Sequence, residues 1–227
     1  MGYVVTIDGP AGSGKSTVAR LVAGRLGWRL LDTGAMYRAV ALAAIRAGID
    51  LLDEPALGAL ADRLRVELPP GLVLLDGEDV TPQIRSAEVT RATRHAADCP
   101  LVRSRLVVWQ RAFAAENDTV TEGRDQGTIV FPDSPCKFFL IADPAERARR
   151  RHAEFVSRGD QISFEEVLSD LRQRDAQDEA RTIAPLRPAD DARLIDSTGL
   201  NPEQVADIIE QAVRERDSTF SHGDPTS

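Results

Sequence analysis

A glycine-rich run near the start of the chain has the residue types and spacing of a phosphate-binding loop. Residues 9–16 read Gly-Pro-Ala-Gly-Ser-Gly-Lys-Ser and match the pattern G-x-x-x-x-G-K-[ST]. In such a loop, backbone N–H groups curl around a phosphate, and the helix that follows adds the positive end of its dipole. The Lys15 ammonium would reach the β- and γ-phosphates, and the Ser16 hydroxyl can bind Mg²⁺. The run predicts a site for a nucleoside triphosphate and Mg²⁺.

The composition gives this lysine additional weight. Of the 28 basic residues, 26 are arginine, and Lys15 and Lys137 are the two lysines of the sequence. An arginine does not offer the same compact point charge, which favours a specific role for Lys15. Acidic residues number 36, so the formal net charge is −8, and we expect no general affinity for nucleic acid or an anionic membrane. An anionic ligand would need a local basic pocket.

A phosphate loop alone does not distinguish a kinase from a motor, a transporter subunit or a switch. Neither lysine lies in the N-K-x-D motif of a GTPase, and the L-S-G-G-Q signature of transporters is absent from the sequence. The chain does carry arginine and acidic side chains in separate segments, with one tyrosine. They are Asp32, Tyr37, Arg38, Arg103, Glu122, Arg124, Asp125, Arg147, Arg149, Arg150, Arg151, Arg174, Asp178 and Arg181. In an acidic protein, these arginines indicate an anionic ligand beyond the triphosphate.

Two of these segments have a spacing that could form a site. Arg174, Asp178 and Arg181 follow at i, i+4 and i+7, which places them along one helical stripe. A carboxylate between two guanidiniums can hold a sugar hydroxyl while the arginines bind phosphate. Residues 122–125 directly follow a predicted strand, so they lie at the carboxyl edge of the sheet, where open α/β folds bind ligands. A solvated ion pair on the helix and a salt bridge in the loop are the alternatives, and an exposed helix face is the alternative for the arginines of 147–151.

The elements that must position these residues alternate between strands and helices. Strand-like apolar runs occur at Tyr3–Ile7, Trp28–Leu31, Thr119–Thr121, Lys137–Ile141 and Arg193–Ile195. Helical patterns run from the phosphate loop through Leu26 and over Met36–Arg46, Pro100–Ala115, Pro144–Val156, Phe164–Arg181 and Pro202–Arg216. Ser163 and Glu166 have the spacing of a capping box. This alternation predicts the α/β class: a parallel, doubly wound sheet of the P-loop NTPase type, flanked by helices.

One segment breaks the alternation. The runs Leu64–Leu68, Leu72–Leu75 and Glu78–Val80 are separated by Pro69-Pro70-Gly71 and by Asp76-Gly77, which predicts a small antiparallel insertion. We expect residues 1–216 to form one domain and residues 217–227, which are polar and aperiodic, to be disordered.

The sequence also constrains the protein's location. Cys99 and Cys136 lie far apart and the three histidines do not cluster, so no zinc site is expected. No apolar stretch reaches the length of a membrane span and the start lacks a signal-peptide pattern, so we expect a cytoplasmic protein.

Several runs of the sequence resemble the bacterial cytidylate kinase family. They are residues 6–17, 31–38, 79–86, 122–133, 147–151, 184–186 and 196–198, and the similarity extends in order from about residue 3 to residue 213. The resemblance implies a monomeric P-loop kinase that converts ATP and CMP or dCMP into ADP and CDP or dCDP. It also implies a CMP-binding region near residues 33–103, containing the antiparallel insertion, and a short lid that carries arginines, near residues 147–162.

The resemblance further implies roles for individual residues. Those matching the ATP-binding loop are Gly9, Pro10, Ala11, Gly12, Ser13, Gly14, Lys15, Ser16 and Thr17, with Ser16 on Mg²⁺. Those matching the monophosphate site are Thr33, Tyr37, Arg38, Arg103, Arg124, Asp125, Arg174, Asp178 and Arg181. The expected catalytic residues are Lys15, Arg124, Arg150 and Arg151.

One departure from the family concerns the base. Where the family has a serine that contacts cytosine, this chain reads Thr93-Arg94-His95, with Arg94 in place of the serine. Either Thr93 supplies the contact from a shifted position or the contact is lost, so tolerance of UMP stays open. A UMP or dTMP kinase and a non-enzymatic ATP-dependent switch are the remaining alternatives.

Overall fold

A computed structural model describes residues 2–157 and 159–216. The expected disorder of residues 217–227 concerns a segment outside these described residues. The strands are β1 (Val4–Asp8), β2 (Arg29–Asp32), β3 (Val66–Glu67), β4 (Leu74–Leu75), β5 (Glu78–Asp79), β6 (Thr119–Gly123), β7 (Cys136–Ile141) and β8 (Arg193–Asp196). The helices are α1 (Lys15–Leu26), α2 (Thr33–Arg46), α3 (Glu54–Ala61), α4 (Ala87–Asp98), α5 (Pro100–Glu116), α6 (Pro144–Ser157), α7 (Phe164–Glu179) and α8 (Pro202–Arg216).

The chain divides into two compact units. The first contains the residues up to Leu30 together with those from Asn117 onward, and the second contains Leu31–Glu116. The larger sheet has the strand order β2-β6-β1-β7-β8, and β1 pairs in parallel with both β6 and β7, as β7 does with β8. The predicted parallel sheet is confirmed.

The core of the first unit explains why these segments form strands and helices. All five residues of β1 are buried, as a β-branched run in a central parallel strand must be. Val18 and Val22 of α1 share one apolar cluster with Ile209 of α8 and with the inner strands. α1 ends at Leu26 and is capped by Gly27, whose φ of 70° gives the left-handed turn that closes many helices. The packing of α1 on the inner strands fixes β1, whose carboxyl end leads directly into the phosphate loop.

Helix α7 begins at the predicted capping box. The Ser163 hydroxyl oxygen accepts from the Glu166 backbone N–H at 3.2 Å, and the Glu166 carboxylate accepts from the Ser163 N–H at 2.8 Å. α7 packs against α6 through an apolar cluster made of Ala11, Ala148, Val167 and Leu171. Because Ala11 belongs to the phosphate loop, this cluster joins the loop to both helices.

The second unit contains the predicted antiparallel insertion. Its three strands have the order β3-β4-β5 and are antiparallel, but each is two residues long, shorter than the apolar runs that predicted them. The turn between β4 and β5 uses positive φ values at Asp76 (51°) and Gly77 (88°). The sequence patterns did not predict α3 and α4. The sequence did contain a signal for the start of α4, a serine at position 86. In the structure Ser86 is the N-cap, and its hydroxyl oxygen accepts from the Val89 N–H.

Across the described residues, none of the helices is both long enough and apolar enough to cross a membrane.

Candidate active site

The phosphate loop lies between β1 and α1, where the sequence predicted it. Gly9, Gly12 and Gly14 have φ values of 146°, 75° and 89°, a region that glycine adopts readily and other residues rarely. A Cβ on Gly9 would lie 2.2 Å from the Leu140 carbonyl oxygen, so no side chain fits there. The glycines of the motif are therefore required by the backbone path as well as by the close approach of a phosphate.

Lys15 is almost completely buried at the first position of α1. It is 5% exposed, and its Nζ donates to the Pro10 carbonyl oxygen at 2.6 Å, across the loop. Burial, followed by the charge of Arg124, lowers the pKa of Lys15 from 10.5 to about 7, while Glu122 and Asp8 act in the opposite direction. A phosphate beside this ammonium would favour its charged form. The arrangement suits a lysine that acts on a bound anion.

Ser16 and Glu122 form the pair best suited to hold a divalent cation. The Ser16 hydroxyl donates to Glu122 Oε1 at 2.9 Å, and Glu122 is buried at the end of β6. Mg²⁺ prefers oxygen ligands and commonly uses one or two protein groups together with substrate phosphates and water. A hydroxyl and a carboxylate beside the phosphate loop fit that donor set.

Asp8, which precedes the phosphate loop, was not predicted as a site residue. Its carboxylate accepts from the backbone N–H groups of Gln126 at 2.9 Å and Gly127 at 2.7 Å. Burial raises the pKa of Asp8 from 3.8 to about 7, against the effect of these two hydrogen bonds. Asp8 therefore fixes the segment that follows Arg124 to the end of β1. The signal available in the sequence was a carboxylate at the end of a buried strand.

Arg124, Asp178 and Arg181 form one charged network in the first unit. Arg124 Nε donates to Asp178 Oδ2 at 2.9 Å, and Arg181 Nη2 lies 3.0 Å from Asp178 Oδ1. Asp178 is 3% exposed, and although burial acts to raise its pKa, the charges of Arg124 and Arg181 hold the pKa below the usual 3.8. Arg174 contributes to the same field. Arg174 and Asp178 lie on α7 as predicted, but the helix ends at Glu179, so Arg181 reaches Asp178 from the residues that follow the helix. The network joins this end of α7 to the loop after β6.

The arginines of α6 differ in their surroundings. Arg147 is 4% exposed and bonded to the phosphate loop, so the alternative of an exposed helix face is wrong for this residue. Arg150 donates to the Ser197 carbonyl oxygen at 2.5 Å, and the Ser197 hydroxyl donates to the Ser13 carbonyl oxygen at 3.2 Å, which brings Arg150 beside the phosphate loop. Arg151 instead pairs with Glu154 at 2.7 Å.

Asp125 is buried in the same loop as Arg124. Burial is the main cause that raises the pKa of Asp8, and the charge of Asp125 acts in the same direction. The backbone turns sharply after Asp125, because its carbonyl oxygen accepts from both the Ile129 and Val130 N–H groups. These bonds form part of a π-helical turn over Gln126–Val130. Such turns occur frequently at functional sites.

The second unit holds the remaining predicted residues. The Arg103 guanidinium lies over the Tyr37 ring at 5.9 Å from its centroid and donates to the Ala97 carbonyl oxygen at 3.3 Å. Thr33 is buried at the start of α2, and the Arg38 guanidinium lies beside Gly34, where a Cβ would be 3.5 Å from it. Tyr37 and Arg103 are thus brought together within this unit.

The segment that departs from the family's serine lies in α4. The Thr93 hydroxyl donates to the Val89 carbonyl oxygen at 2.6 Å, and Arg94 is exposed, with its Nε 3.4 Å from His95 Nε2. The Thr93 hydroxyl hydrogen is therefore used within the helix, which leaves its oxygen free to act as an acceptor.

The fold and the phosphate loop define a P-loop nucleotide-binding protein whose first unit also contains the charged network of Arg124, Asp178 and Arg181. A solved structure of an uncharacterized protein from Eubacterium ventriosum shares this fold, with a TM-score of 0.55 and 13% identity over 95% of this chain and 100% of that one.

Sequence comparison identifies the family. The model of the cytidylate kinase family matches residues 5–215. A cytidylate kinase of Stutzerimonas stutzeri is 46% identical over 220 residues, covering 94% of this chain and 96% of that protein. One of Pelotomaculum thermopropionicum is 49% identical over 210 residues, covering 90% and 93%. This chain belongs to the cytidylate kinase family.

Proposed function

We propose that this protein transfers the γ-phosphoryl group of ATP to CMP or dCMP, giving ADP and CDP or dCDP. The observation that carries the proposal is the network of Arg124, Asp178 and Arg181, which lies in the same unit as the phosphate loop. The phosphate loop binds one anionic ligand, and half-buried arginines grouped around the buried Asp178 fit a second anionic substrate. Membership of the cytidylate kinase family supports CMP as that substrate.

The acceptor phosphate needs little chemical activation. Its second pKa lies near 6, so it is largely dianionic and already nucleophilic at pH 7. The protein must instead hold two mutually repelling anions in line and stabilise the charge on the transferring phosphoryl group. Lys15 belongs to the donor loop and Arg150 lies beside it. Arg124 and Arg181 form the arginine network assigned to the acceptor.

Ser16 and Glu122 are the residues we assign to Mg²⁺. When bound, Mg²⁺ neutralises charge on the phosphates of the nucleotide. The Ser16 oxygen would bind the cation through a lone pair, and its hydroxyl hydrogen could still donate to Glu122.

Asp178 has a distinct assigned role. An ionised carboxylate only accepts hydrogen bonds, so it can accept from a sugar hydroxyl while keeping Arg124 and Arg181 oriented. Its lowered pKa keeps it ionised throughout the neutral range.

The second unit would contribute Thr33, Tyr37, Arg38 and Arg103 to binding of the monophosphate, as the resemblance implies. The hydrogen bond that the Thr93 hydroxyl donates to Val89 gives a physical reason why cytosine would be preferred over uracil. An oxygen that acts only as an acceptor matches the amino group of cytosine and does not match the O4 of uracil, which is also an acceptor. We therefore expect CMP to be preferred over UMP despite Arg94.

The proposal includes a lid over residues 147–162 that excludes water on closing, since an exposed γ-phosphate is open to hydrolysis. The buried contacts of Arg147 and Ala148 make the first residues of this segment its fixed base. It also includes a single domain over residues 1–216 that acts as a monomer in the cytoplasm. Light scattering coupled to gel filtration tests the monomer.

The experiment that tests the function is an ADP-release assay with CMP, dCMP, UMP, AMP, GMP and dTMP as acceptors. We expect turnover with CMP and dCMP to exceed that with the others. Turnover confined to UMP or dTMP would replace the assigned substrate, and tight ATP binding without ADP release for any acceptor would indicate a switch. Thr93→Val, which removes the acceptor oxygen, should narrow the difference between CMP and UMP.

A further inference from the structure

Arg147 makes contacts that differ in kind from those expected of a lid arginine. Its Nη1 donates to the Ala11 carbonyl oxygen at 3.1 Å and to Asp175 Oδ2 at 2.6 Å, and its Nε donates to the Ala142 carbonyl oxygen at 3.0 Å. Ala11 lies in the phosphate loop and Asp175 lies in α7. One buried guanidinium therefore bonds the donor loop directly to the helix that carries Arg174 and Asp178.

The junction around this guanidinium is closely packed. A Cβ on Gly12 would lie 3.2 Å from Arg147 Cβ and 3.3 Å from the Arg147 carbonyl oxygen, so the loop backbone touches the start of α6. The apolar cluster of Ala11, Ala148, Val167 and Leu171 joins the same loop, α6 and α7. Because close-packed interiors deform little, a displacement of the loop must be shared with α7.

The ion pair between Arg147 and Asp175 is not explained by stability alone. A buried Arg–Asp pair contributes little net stability compared with well-packed apolar side chains, because both charges lose their hydration. Asp175 Oδ1 is buried and has no hydrogen-bond partner in the described part of the chain, so the carboxylate is incompletely satisfied. What distinguishes this pair is that Arg147 also donates a hydrogen bond to the Ala11 carbonyl oxygen. That bond fixes the phosphate loop at Ala11.

Asp175 directly follows Arg174 and lies one helical turn before Asp178, whose carboxylate holds Arg124 and Arg181. We propose that Arg147 and Asp175 are positioning residues that couple nucleotide binding at the phosphate loop to monophosphate binding at the Asp178 network. This inference rests on the proposed function, since it takes that network as the acceptor site. Through the junction, phosphates seated in the donor loop set the position of the acceptor arginines.

The test measures coupling directly by titration calorimetry, apart from activity. The dissociation constant of CMP is measured with and without a saturating non-hydrolysable ATP analogue, in wild type, Arg147→Met, Asp175→Ala and Asp175→Asn. We expect the analogue to change the CMP constant in wild type by about fivefold or more, the usual size of a coupling between sites. Arg147→Met and Asp175→Ala should reduce this factor to nearly one, and Asp175→Asn, which keeps an acceptor oxygen, should restore part of it.

The matched control is Arg214→Met, which breaks an exposed pair with Glu210 on α8. It should keep the wild-type coupling. Steady-state kinetics should also show a fall in kcat of about ten- to a hundredfold for Arg147→Met, the usual cost of a small misplacement of reacting groups. A purely structural role would lower the unfolding temperature and leave the coupling factor of the folded protein unchanged.

Wild-type coupling in Asp175→Ala, or its absence in wild type, overturns the proposal. If Arg147→Met does not fold, the coupling measured in Asp175→Ala and Asp175→Asn tests the proposal. Failure of the proposed function has a different signature, since wild type would then turn over another acceptor, and the coupling would be measured with that acceptor.

Discussion

Two charged networks in the first unit have opposite signs and opposite environments. Around Asp178, one carboxylate lies between two guanidiniums, with Arg124 at 2.9 Å and Arg181 at 3.0 Å. Around Arg25, one guanidinium lies among carboxylates of α8, and Asp207, at 2.6 Å, is one of them. The distances are similar. The Asp178 side chain is 5% exposed, whereas that of Asp207 is 66% exposed.

This difference in exposure separates a candidate site from an ordinary surface. Water and salt screen the Arg25 cluster, so its hydrogen bonds to Asp207 and its neighbours, although they raise the pKa of Arg25, contribute little to stability. Around Asp178 the charges have lost their hydration, which is costly unless binding of a ligand rewards it. Short contacts between charges therefore mark a candidate site around Asp178, where the carboxylate is buried, and not around Asp207, where it is exposed.

The largest effect is expected at Lys15, which lies in the same electrostatic field as Arg124. Lys15→Ala should lower kcat by about a hundredfold or more, because it removes the cation that faces the developing phosphoryl charge. Steady-state kinetics with ATP and CMP measure this, and circular dichroism checks the fold. Retention of more than about a tenth of the wild-type kcat, roughly 1.4 kcal/mol of barrier, would contradict the assignment.

Arg124→Ala and Arg181→Ala should raise the KM for CMP with a smaller effect on the KM for ATP. Each removes a charge-assisted contact worth about 1.5–3 kcal/mol, or about ten- to a hundredfold in KM. Initial rates over both substrate concentrations separate the two constants.

The matched control for these variants is Arg25→Ala. It removes an arginine with similarly short contacts, two of whose carboxylate partners, Glu203 and Asp207, are exposed, and it should leave both KM values unchanged. The comparison of the two networks fails if ATP affinity falls in Arg124→Ala while CMP affinity is retained.

Asp178→Ala should lower kcat/KM for CMP by about tenfold, the value of a charged hydrogen bond. CMP and dCMP distinguish its two roles. An equal loss with both means that Asp178 orients the arginines, and a loss confined to CMP means that it binds the 2′-hydroxyl. A change below about threefold with both would make Asp178 half of a structural ion pair.

The smallest effect concerns stability against pH. Asp178 releases its proton at a lower pH in the folded than in the unfolded protein, because its folded pKa lies below 3.8. Its contribution is therefore complete above about pH 4 and is lost as the pH falls through the folded pKa. Urea unfolding of wild type and Asp178→Asn should show a stability difference at pH 6 that shrinks at pH 3. If the difference in unfolding free energy is the same at both pH values, ionisation of Asp178 does not contribute to the pH dependence of stability.

Prediction from sequence succeeded where the signal is local. The glycine positions of the phosphate loop and the capping box of α7 depend on neighbouring residues, and the structure contains both. The helix predicted over Phe164–Arg181 begins at Phe164 but ends at Glu179. The alternation of strands and helices likewise predicted the parallel sheet. The omission of α3 and α4 shows the limit, since α3 is eight residues long and contains Gly58 and Pro55. Its helix is stabilised by packing more than by propensity.

Residues that act through distant partners were the hardest to assign. Asp8 was not identified as a site residue, because its function depends on the N–H groups of Gln126 and Gly127, more than a hundred residues away. Arg147 was grouped with the other arginines of α6, and only its burial against Ala11 and Asp175 separates it from Arg151, which pairs with Glu154. Sequence spacing places residues on a helix face but does not reveal what that face contacts.

The sequence by itself determined the chemistry of the protein: a phosphate loop with one suitable lysine, and arginines spaced to bind a second anion. These features follow from residue type and local backbone geometry, which short-range sterics and hydrogen bonding control. Only the tertiary structure decided which charges are buried together, and hence that Arg124 belongs with Asp178 while Arg147 belongs with the phosphate loop. The physical reason is that desolvation and Coulomb energies depend on distance and burial in three dimensions, and these are absent from the order of residues along the chain.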